Sequence, residues 1–458
     1  MRRPSSLHTD PDRFDAGLLS PVTAGREDRV SDAAVLSALV LAERALIEAY
    51  IAVGAVKDVD AVRAEADALG VADVHALALA AVAGGNPVIP LANELRIFAG
   101  PHVKPWIHRG ATSQDILDTA LMLVAKDAAA HVLASLDAVV GSLEHFAQEY
   151  RDVPAAARTL TQHAVPTTVG LRAANWLRAV RRARARLAAL EFPAQLGGAG
   201  GTLASFVEVA GRARASELPA AFATALGLAA PDGVWHVTRW PVTEAGDAFA
   251  QALDALGLIA ADVATLSRTE IGELAEGTGG GSSAMPQKQN PARSVLIRSA
   301  AIRAPHLAAT LHSAAGLAVD ERPDGAWHAE WPTLRELLRL ALGASAHAVD
   351  LVSGLRVNRD AVERNLAATG GLIVAERLSV ALGPVLGRDR VKDIVSAAGA
   401  GGDLRALVAT ALAEAGVDGV DVDDLLDPAR YTGLAGASVD RATEDAADHS
   451  PLTEEESA

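Results

Sequence analysis

The amino-acid sequence predicts an all-α protein with a central bundle of long helices. Apolar residues recur at helical spacing over five long segments, at about 118–149, 165–190, 243–275, 291–317 and 332–354. Shorter alanine-rich segments, interrupted by glycine and proline, lie before and after them. Long helices with apolar stripes are buried best by packing on one another, within a subunit or between subunits. The spacing therefore predicts a bundle and leaves its oligomeric state open.

We expect three domains and a tail. Residues 1–115 form an N-terminal helical domain, in which Ser31 and Asp32 predict the start of a helix. Residues 116–354 form the central long-helix bundle, and residues 355–440 form a small C-terminal helical domain. Residues 441–458 contain six acids, one arginine and few apolar residues, which predicts an acidic disordered tail.

Composition limits the classes of function. The chain has 458 residues, half of them hydrophobic, and a formal net charge of −16, which argues against nucleic-acid binding through clustered Lys and Arg. No apolar run approaches the roughly 18 residues of a spanning helix, so we expect a soluble cytoplasmic protein without a membrane partner. Cysteine is absent, which excludes disulfides and thiolate catalysis, and the thirteen histidines show no metal-binding motif. An anionic substrate would have to meet local positive groups.

The segment Glu276–Pro291 changes character abruptly between two helical regions. Four of the five residues 277–281 are glycine, and two serines, a lysine and an asparagine follow. Glycine gives the backbone freedom to close over a small ligand and to reopen. The order of residues does not match a phosphate-binding P-loop. A flexible linker is the alternative interpretation, although linkers seldom carry such a polar sequence after the glycines.

The sequence GSSAMPQKQNP in this segment resembles the signature loop of the fumarase/aspartase superfamily. That superfamily includes argininosuccinate lyases, adenylosuccinate lyases and bacterial 3-carboxy-cis,cis-muconate cycloisomerases, and the resemblance extends from about residue 18 to 440. It implies that Ser282 acts on a carbon-bound proton and that Lys288 and Asn290 hold a substrate carboxylate, with Ser283 and Met285 also at the substrate. We expect the loop to be mobile when empty and ordered when a tricarboxylate binds.

Two further segments carry the same resemblance. HRGATSQDILDTA is similar to the first signature region and implies that Thr112, Ser113 and His108 contact the substrate. Alternatively, Thr112 or Ser113 only caps a helix that begins near Asp115. RTLTQHAVPTT, at residues 158–168, is similar to the second region as cycloisomerases have it. It implies a catalytic His163 that binds a carboxylate or assists proton transfer, with the substrate-binding residues Thr161 and Gln162 beside it.

Two features favour the cycloisomerases within the superfamily. Residues 321–331 resemble the corresponding cycloisomerase sequence. Trp327 and Trp331 occupy the positions at which adenylosuccinate lyases carry groups that bind a nucleotide phosphate. Indoles cannot replace a cationic phosphate partner, and packing in the core is their ordinary role. Leu160 occupies the position at which elimination lyases have a histidine that protonates the leaving group.

The resemblance therefore implies lactonisation of 3-carboxy-cis,cis-muconate to 4-carboxymuconolactone in protocatechuate degradation by the β-ketoadipate pathway. It also implies a cofactor-independent homotetramer in which each active site collects residues from three subunits. The alternatives are a fumarate-releasing lyase of the adenylosuccinate or argininosuccinate type and a non-catalytic structural homologue.

Overall fold

A computed structural model describes residues 16–70, 73–281, 285 and 287–444. Regular structure in these residues is almost entirely helical, which confirms the all-α prediction. The chain divides into two compact units. Unit 1 falls within Met1–Ser135, Ala183–Gly257 and Leu296–His347, and unit 2 falls within Leu136–Arg182, Leu258–Val295 and Ala348–Ala458. The division into three domains stays a prediction.

The helices and strands follow in chain order. The first ten helices are α1 Asp32–Ala52, α2 Val59–Asp67, α3 Val74–Gly84, α4 Val88–Phe98, α5 Ser113–Glu149, α6 Val169–Ala188, α7 Ala204–Ala210, α8 Arg212–Leu226, α9 Trp240–Leu266 and α10 Ala292–Gly316. The remaining seven are α11 Gly325–Ser353, α12 Arg359–Ala367, α13 Ala375–Leu386, α14 Arg388–Gly399, α15 Leu404–Glu414, α16 Val422–Leu426 and α17 Ala435–Thr443. The strands are β1 Pro154–Thr159, β2 Gln162–Thr168, β3 Leu274–Ala275 and β4 Arg356–Val357.

All five predicted long helices are present, and two of their ends differ from the prediction by more than five residues. Helix α9 ends at Leu266 and not near residue 275, because the chain turns there and β3 pairs with β4. Helix α11 begins at Gly325 and continues through Pro332, so this proline lies inside the helix instead of marking its start. Helix α9 is long and apolar enough to cross a membrane, but 56% of its most apolar window is buried, as in the core helix of a soluble protein.

Helix α1 begins where the sequence predicted. The Ser31 side chain accepts a hydrogen bond from the Ala34 backbone N–H at 3.2 Å, which satisfies one donor of the first turn. The buried face of α1 packs against α8 and contains Leu46, Tyr50 and the carboxylic acid Glu43. A buried acid on an otherwise apolar face requires a partner.

The hairpin of β1 and β2 was not predicted. Its two strands pair antiparallel across the turn residues Leu160 and Thr161, whose φ angles are 48° and 75°. Two successive left-handed residues are the geometry of a type I′ turn, which ordinarily carries Asn-Gly or Gly-Gly. Because Leu and Thr rarely adopt this backbone conformation, the residues of this turn do not predict a hairpin.

Candidate active site

The first predicted group of site residues lies in unit 1. Ser113 is the first residue of α5, and Thr112 and His108 lie in the loop before it. The Thr112 backbone N–H donates to the Asp115 carboxylate at 3.0 Å, so this acid fixes the residue that precedes α5. The Thr112 hydroxyl instead accepts a hydrogen bond from a guanidinium group. The alternative role of Thr112 or Ser113 as a helix cap stays a prediction.

Asp115 joins three segments of unit 1. Besides the Thr112 N–H, its carboxylate accepts the backbone N–H groups of Gly197 at 2.8 Å and Gly198 at 2.9 Å. The imidazole Nε2–H of His236 donates to the same carboxylate at 2.9 Å. Asp115 is fully buried, and four hydrogen bonds are what a buried carboxylate needs in place of water. Asp115 thereby fixes the loop before α5 relative to the turn at Gly197 and Gly198.

Arg322 is a candidate site residue that the sequence analysis did not identify. One guanidinium nitrogen, Nη1, donates to the Thr112 hydroxyl at 2.5 Å, and Nη2 donates to the Ala199 carbonyl at 2.8 Å. Both acceptors belong to segments that Asp115 holds. A guanidinium has five N–H groups, so donors remain for an anionic ligand. Arg322 lies in the segment 321–331 that resembles the cycloisomerases, but the interpretation of that segment rested on its two tryptophans.

We expect Arg322→Gln to weaken substrate binding. Loss of one hydrogen bond to a charged group costs about 1.5–3 kcal/mol, which corresponds to a rise in KM of roughly 10–100-fold. Steady-state kinetics checks this expectation. Arg322→Lys serves as the matched control, because it keeps the charge and loses the forked geometry. Its KM should lie between those of the unmodified protein and Arg322→Gln. An unchanged KM in Arg322→Gln would remove Arg322 from the site.

A buried ion cluster supports the same unit. The Arg239 guanidinium, which is fully buried, contacts the Asp118 carboxylate at 2.7 Å and the Glu330 carboxylate at 2.6 Å. The indole N–H of Trp327 donates to Asp118 at 2.9 Å. Burial raises the pKa of Glu330, and the nearby Arg239 opposes that rise. Trp327 therefore has the structural role in the core that was expected for at least one of the two tryptophans.

The second predicted group lies in unit 2, at the end of the β1–β2 hairpin. Leu160 is 97% exposed, and Thr161 and Gln162 are exposed beside it. His163 is partly buried and pairs across the hairpin with Arg158. The hairpin thus brings Thr161, Gln162 and His163 together.

Two arginines, Arg158 on β1 and Arg172 on α6, share one acid. The Arg158 guanidinium contacts the buried Glu273 carboxylate at 2.5 Å, and Arg172 lies 3.7 Å from its other oxygen. Burial and the charge of Arg158 lower the pKa of His163, while Glu273 opposes them. His163 is therefore a neutral imidazole near neutral pH, able to accept a proton or a hydrogen bond. Arg158 and Arg172 thus bring two positive charges to Glu273.

We expect Arg158→Gln to move the acidic limb of the pH–rate profile to higher pH. Removing the Arg158 charge takes away one cause that lowers the pKa of His163, so His163 becomes protonated at a higher pH. If turnover requires neutral His163, activity is then lost earlier on acidification. Arg172→Gln is the control, because Arg172 contacts the same Glu273 and is no cause of the His163 shift. An unmoved limb in Arg158→Gln would contradict a catalytic His163.

The third predicted group belongs to the glycine-rich segment of unit 2. Glu276 accepts the backbone N–H of Ser294 at 2.8 Å and its hydroxyl at 2.7 Å, so an acid before the loop satisfies the first turn of α10. Gly280 and Asn290 exchange two backbone hydrogen bonds, at 2.8 and 2.9 Å. Both pairs tie the ends of the loop together.

Within the loop, the described side chains fix little more. The Asn290 amide lies 3.4 Å from the Gly281 carbonyl, and Lys288 and Met285 are exposed. Ser282 and Ser283 lie outside the described residues. The closure of this loop over a ligand stays a prediction. Among residues 16–70, 73–281, 285 and 287–444, no cluster of three His, Asp or Glu side chains is placed to hold a metal ion.

Known proteins are similar to most of the chain. A family described as lyase matches residues 25–305. A nitrosuccinate lyase from Streptomyces davaonensis is 45% identical over 453 residues, covering 93% of this chain and 94% of that protein. A 3-carboxy-cis,cis-muconate cycloisomerase from Pseudomonas aeruginosa is 40% identical over 385 residues, covering 81% of this chain and 83% of that protein.

A solved structure extends the similarity to the fold. The 3-carboxy-cis,cis-muconate lactonizing enzyme from Pseudomonas putida has a TM-score of 0.85 at 34% identity, covering 93% of this chain and 98% of that one. The predicted resemblance to the cycloisomerases is confirmed, although one of the relatives is a lyase. The chain therefore belongs to the fumarase/aspartase superfamily, within the lyase family that its residues 25–305 match.

Proposed function

We propose that the protein is a cytoplasmic 3-carboxy-cis,cis-muconate cycloisomerase. One substrate carboxylate adds to a double bond and closes a lactone ring, 4-carboxymuconolactone, while a proton is delivered to the adjacent carbon. Ser282 transfers that proton, and Lys288 and Asn290 hold a second carboxylate. His163, as a neutral imidazole, orients the substrate or assists the proton transfer.

Leu160 at the end of the hairpin favours this proposal over lyases that expel an amine. Run backwards, lactonisation is an elimination whose leaving group is a carboxylate, and a carboxylate is stable as an anion near neutral pH. Such a leaving group needs no proton donor. An amine does need one, and an apolar side chain at the place of the histidine in elimination lyases cannot supply it. Leu160 thus disfavours adenylosuccinate and argininosuccinate as substrates.

The charges around the candidate residues agree with a substrate that has several carboxylates. In unit 1, the Arg322 guanidinium and the Thr112 hydroxyl hydrogen-bond to each other and keep free donors. In unit 2, Arg158 and Arg172 lie beside the buried Glu273, and Asp262 is a second acid near Arg172. Arginine suits carboxylate recognition because its planar fork matches the two oxygens.

Elimination of nitrite from nitrosuccinate, with release of fumarate, is the second candidate. The 45% identity to a nitrosuccinate lyase over 93% of the chain favours it. Nitrite is also a stable anion near neutral pH, so it would leave without a proton donor, as a carboxylate does. Leu160 therefore fits both candidates, and it separates them only from lyases that expel an amine.

A parallel assay separates the possibilities. Purified protein is incubated separately with 3-carboxy-cis,cis-muconate, nitrosuccinate, adenylosuccinate and argininosuccinate. The loss of the muconate and the release of fumarate and nitrite are measured. Lactone formation without fumarate release from the other three supports the proposal. Nitrite and fumarate without lactone would establish the second candidate, and cleavage of either amine adduct would overturn the argument from Leu160. No turnover of any of the four would favour a non-catalytic homologue.

We also propose a homotetramer in which each active site takes residues from three subunits. The mass in solution should then be about four times 47.1 kDa by light scattering. Mixing denatured Ser282→Ala chains with denatured Thr112→Ala chains and refolding them should restore part of the activity, because some sites then receive neither substitution. Sites built from one subunit would stay inactive in every mixture.

A further inference from the structure

The loop that carries His108 is held in place by groups that do not contact the His108 side chain. The Arg96 guanidinium donates to the Ile107 carbonyl at 3.0 Å, and the Tyr50 hydroxyl donates to the Arg109 carbonyl at 2.9 Å. These two hydrogen bonds fix the backbone on both sides of His108. A further contact to the imidazole ring is not needed to order this loop.

The ring nevertheless has a dedicated partner. Glu43 lies on the buried face of α1 and is fully buried. One of its oxygens accepts the His108 backbone N–H at 2.9 Å, and the other lies 2.7 Å from the ring atom Nδ1. In the part of the chain that the structure describes, both hydrogen bonds of this carboxylate go to the same histidine. Its direction is thereby set by two contacts.

Two unfavourable features accompany this arrangement. His108 has a φ of 53°, in the left-handed region that a non-glycine residue enters at a cost of roughly 1–2 kcal/mol. A buried carboxylate also loses its hydration, which only a close partner offsets. Glycine at 108 and an apolar residue at 43 would avoid both costs. Strain of this kind, kept in place by its surroundings, indicates a functional position.

The geometry decides which ring atom can meet a ligand. A carboxylate only accepts hydrogen bonds, so Nδ1 must carry a hydrogen. Nε2 makes no hydrogen bond to the described residues, and the side chain is 16% exposed. When the ring is neutral, Nε2 therefore presents a lone pair, and when the ring is charged it presents an N–H. His108 precedes by four residues the Thr112 hydroxyl that contacts Arg322.

We propose that Glu43 is a positioning residue, which fixes His108 so that Nε2 is the ring atom that meets the substrate. The proposal rests on the proposed function and applies to either of its two candidate substrates. The carboxylate acts on the substrate only through His108. This is the logic by which an acid orients the histidine in hydrolytic triads.

The variant Glu43→Gln tests the proposal because an amide has only one acceptor oxygen. If that oxygen keeps the His108 backbone N–H, the amide NH₂ faces Nδ1, and the neutral ring must move its hydrogen to Nε2. We expect the tautomer to change in His-selective ¹⁵N NMR, with the His108 signal identified by its loss in His108→Gln. We expect kcat/KM to fall roughly 10–100-fold, as when other supporting groups behind a site are removed.

Glu65→Gln is the matched control. Glu65 makes the same two contacts with His102, at 2.8 Å to its backbone N–H and 2.8 Å to Nδ1, and also accepts the Val103 backbone N–H, but neither Glu65 nor His102 is a predicted site residue. It should change the His102 tautomer and leave turnover unaltered. A folded Glu43→Gln protein with normal kcat/KM would overturn the proposal, as would a loss of activity without a change of tautomer.

Two measurements remain decisive if Glu43→Gln does not fold. Wild-type His108 must show Nδ1 protonated in its neutral form, and the opposite tautomer overturns the proposal. His108→Gln must lose kcat/KM, and normal kinetics overturns it. Absence of turnover in the wild-type protein would instead count against the proposed function, and the tautomer of His108 would still decide the role of Glu43.

Discussion

Arg239→Met is expected to lower the free energy of unfolding by about 3–5 kcal/mol. The substitution leaves Asp118 and Glu330 buried without the cation that both contact at 2.6–2.7 Å. Uncompensated buried carboxylates are far more costly than the lost ion pair itself, because both groups are almost completely removed from solvent. Urea unfolding followed by circular dichroism measures the loss.

The pH dependence of Arg239→Met follows from the same charges. Burial already raises the pKa of Glu330, and without Arg239 nothing opposes that rise. A carboxyl group whose pKa is higher in the folded state than in the unfolded state destabilises the fold as pH rises through the raised pKa. The deficit of Arg239→Met should therefore be smallest in acid and grow toward neutral pH. A pH-independent deficit would contradict this assignment.

Two controls separate burial from charge. Arg303→Met removes a partly exposed ion pair with Glu336, at 2.6 Å, and should change stability by no more than about 1 kcal/mol. Adding Asp118→Asn and Glu330→Gln to Arg239→Met should recover much of the loss, since amides carry no charge. Equal losses from Arg239→Met and Arg303→Met would show that the buried cluster has no special role.

Ser282→Ala is expected to lower kcat by roughly 100–10,000-fold, with KM changed only a few-fold. A group that moves a proton acts chiefly in the transition state, so its loss affects turnover more than binding. A serine hydroxyl is a weak acid and base, and it requires activation by neighbouring donors such as backbone N–H groups and Lys288. Steady-state kinetics on the substrate identified by the parallel assay measures both constants.

Lys288→Ala should raise KM as well as lower kcat, because a carboxylate would lose a charge-assisted hydrogen bond. Ser299→Ala on the exposed face of α10 is the control for removing a serine hydroxyl, and it should keep normal kinetics. If Ser282→Ala turned over its substrate at nearly the normal rate, the proton-transfer role would belong to another residue.

The long helices were predictable because their apolar spacing is a local property of the sequence. The hairpin was not, since Leu160 and Thr161 give no turn signal and their left-handed backbone accompanies the pairing of β1 with β2. The contacts between the candidate site residues cannot be predicted from the spacing of residue types either. Thr112 and Arg322 are 210 residues apart, and Glu43 and His108 are 65 apart.

Resemblance named residues for the site but not the groups that support them. His108, Thr112, His163 and Lys288 were named by motif, whereas Asp115, Arg322 and Glu43 emerged only from the fold. A buried acid in an apolar helix pattern, as at Glu43, was a signal in the sequence that could have been used. Its partner could not have been deduced, because any of several basic or polar groups would satisfy it.

The way the glycine-rich loop is anchored has a consequence for how this enzyme could change during evolution. The first turn of α10 is completed by Glu276, and the Gly280–Asn290 pair closes the loop base, so neither anchor uses a side chain of residues 281–289. Substitutions between these anchors should alter reactivity while leaving thermal stability nearly constant. The loop could then be exchanged between relatives with different substrates, as a unit, without a new fold having to be found.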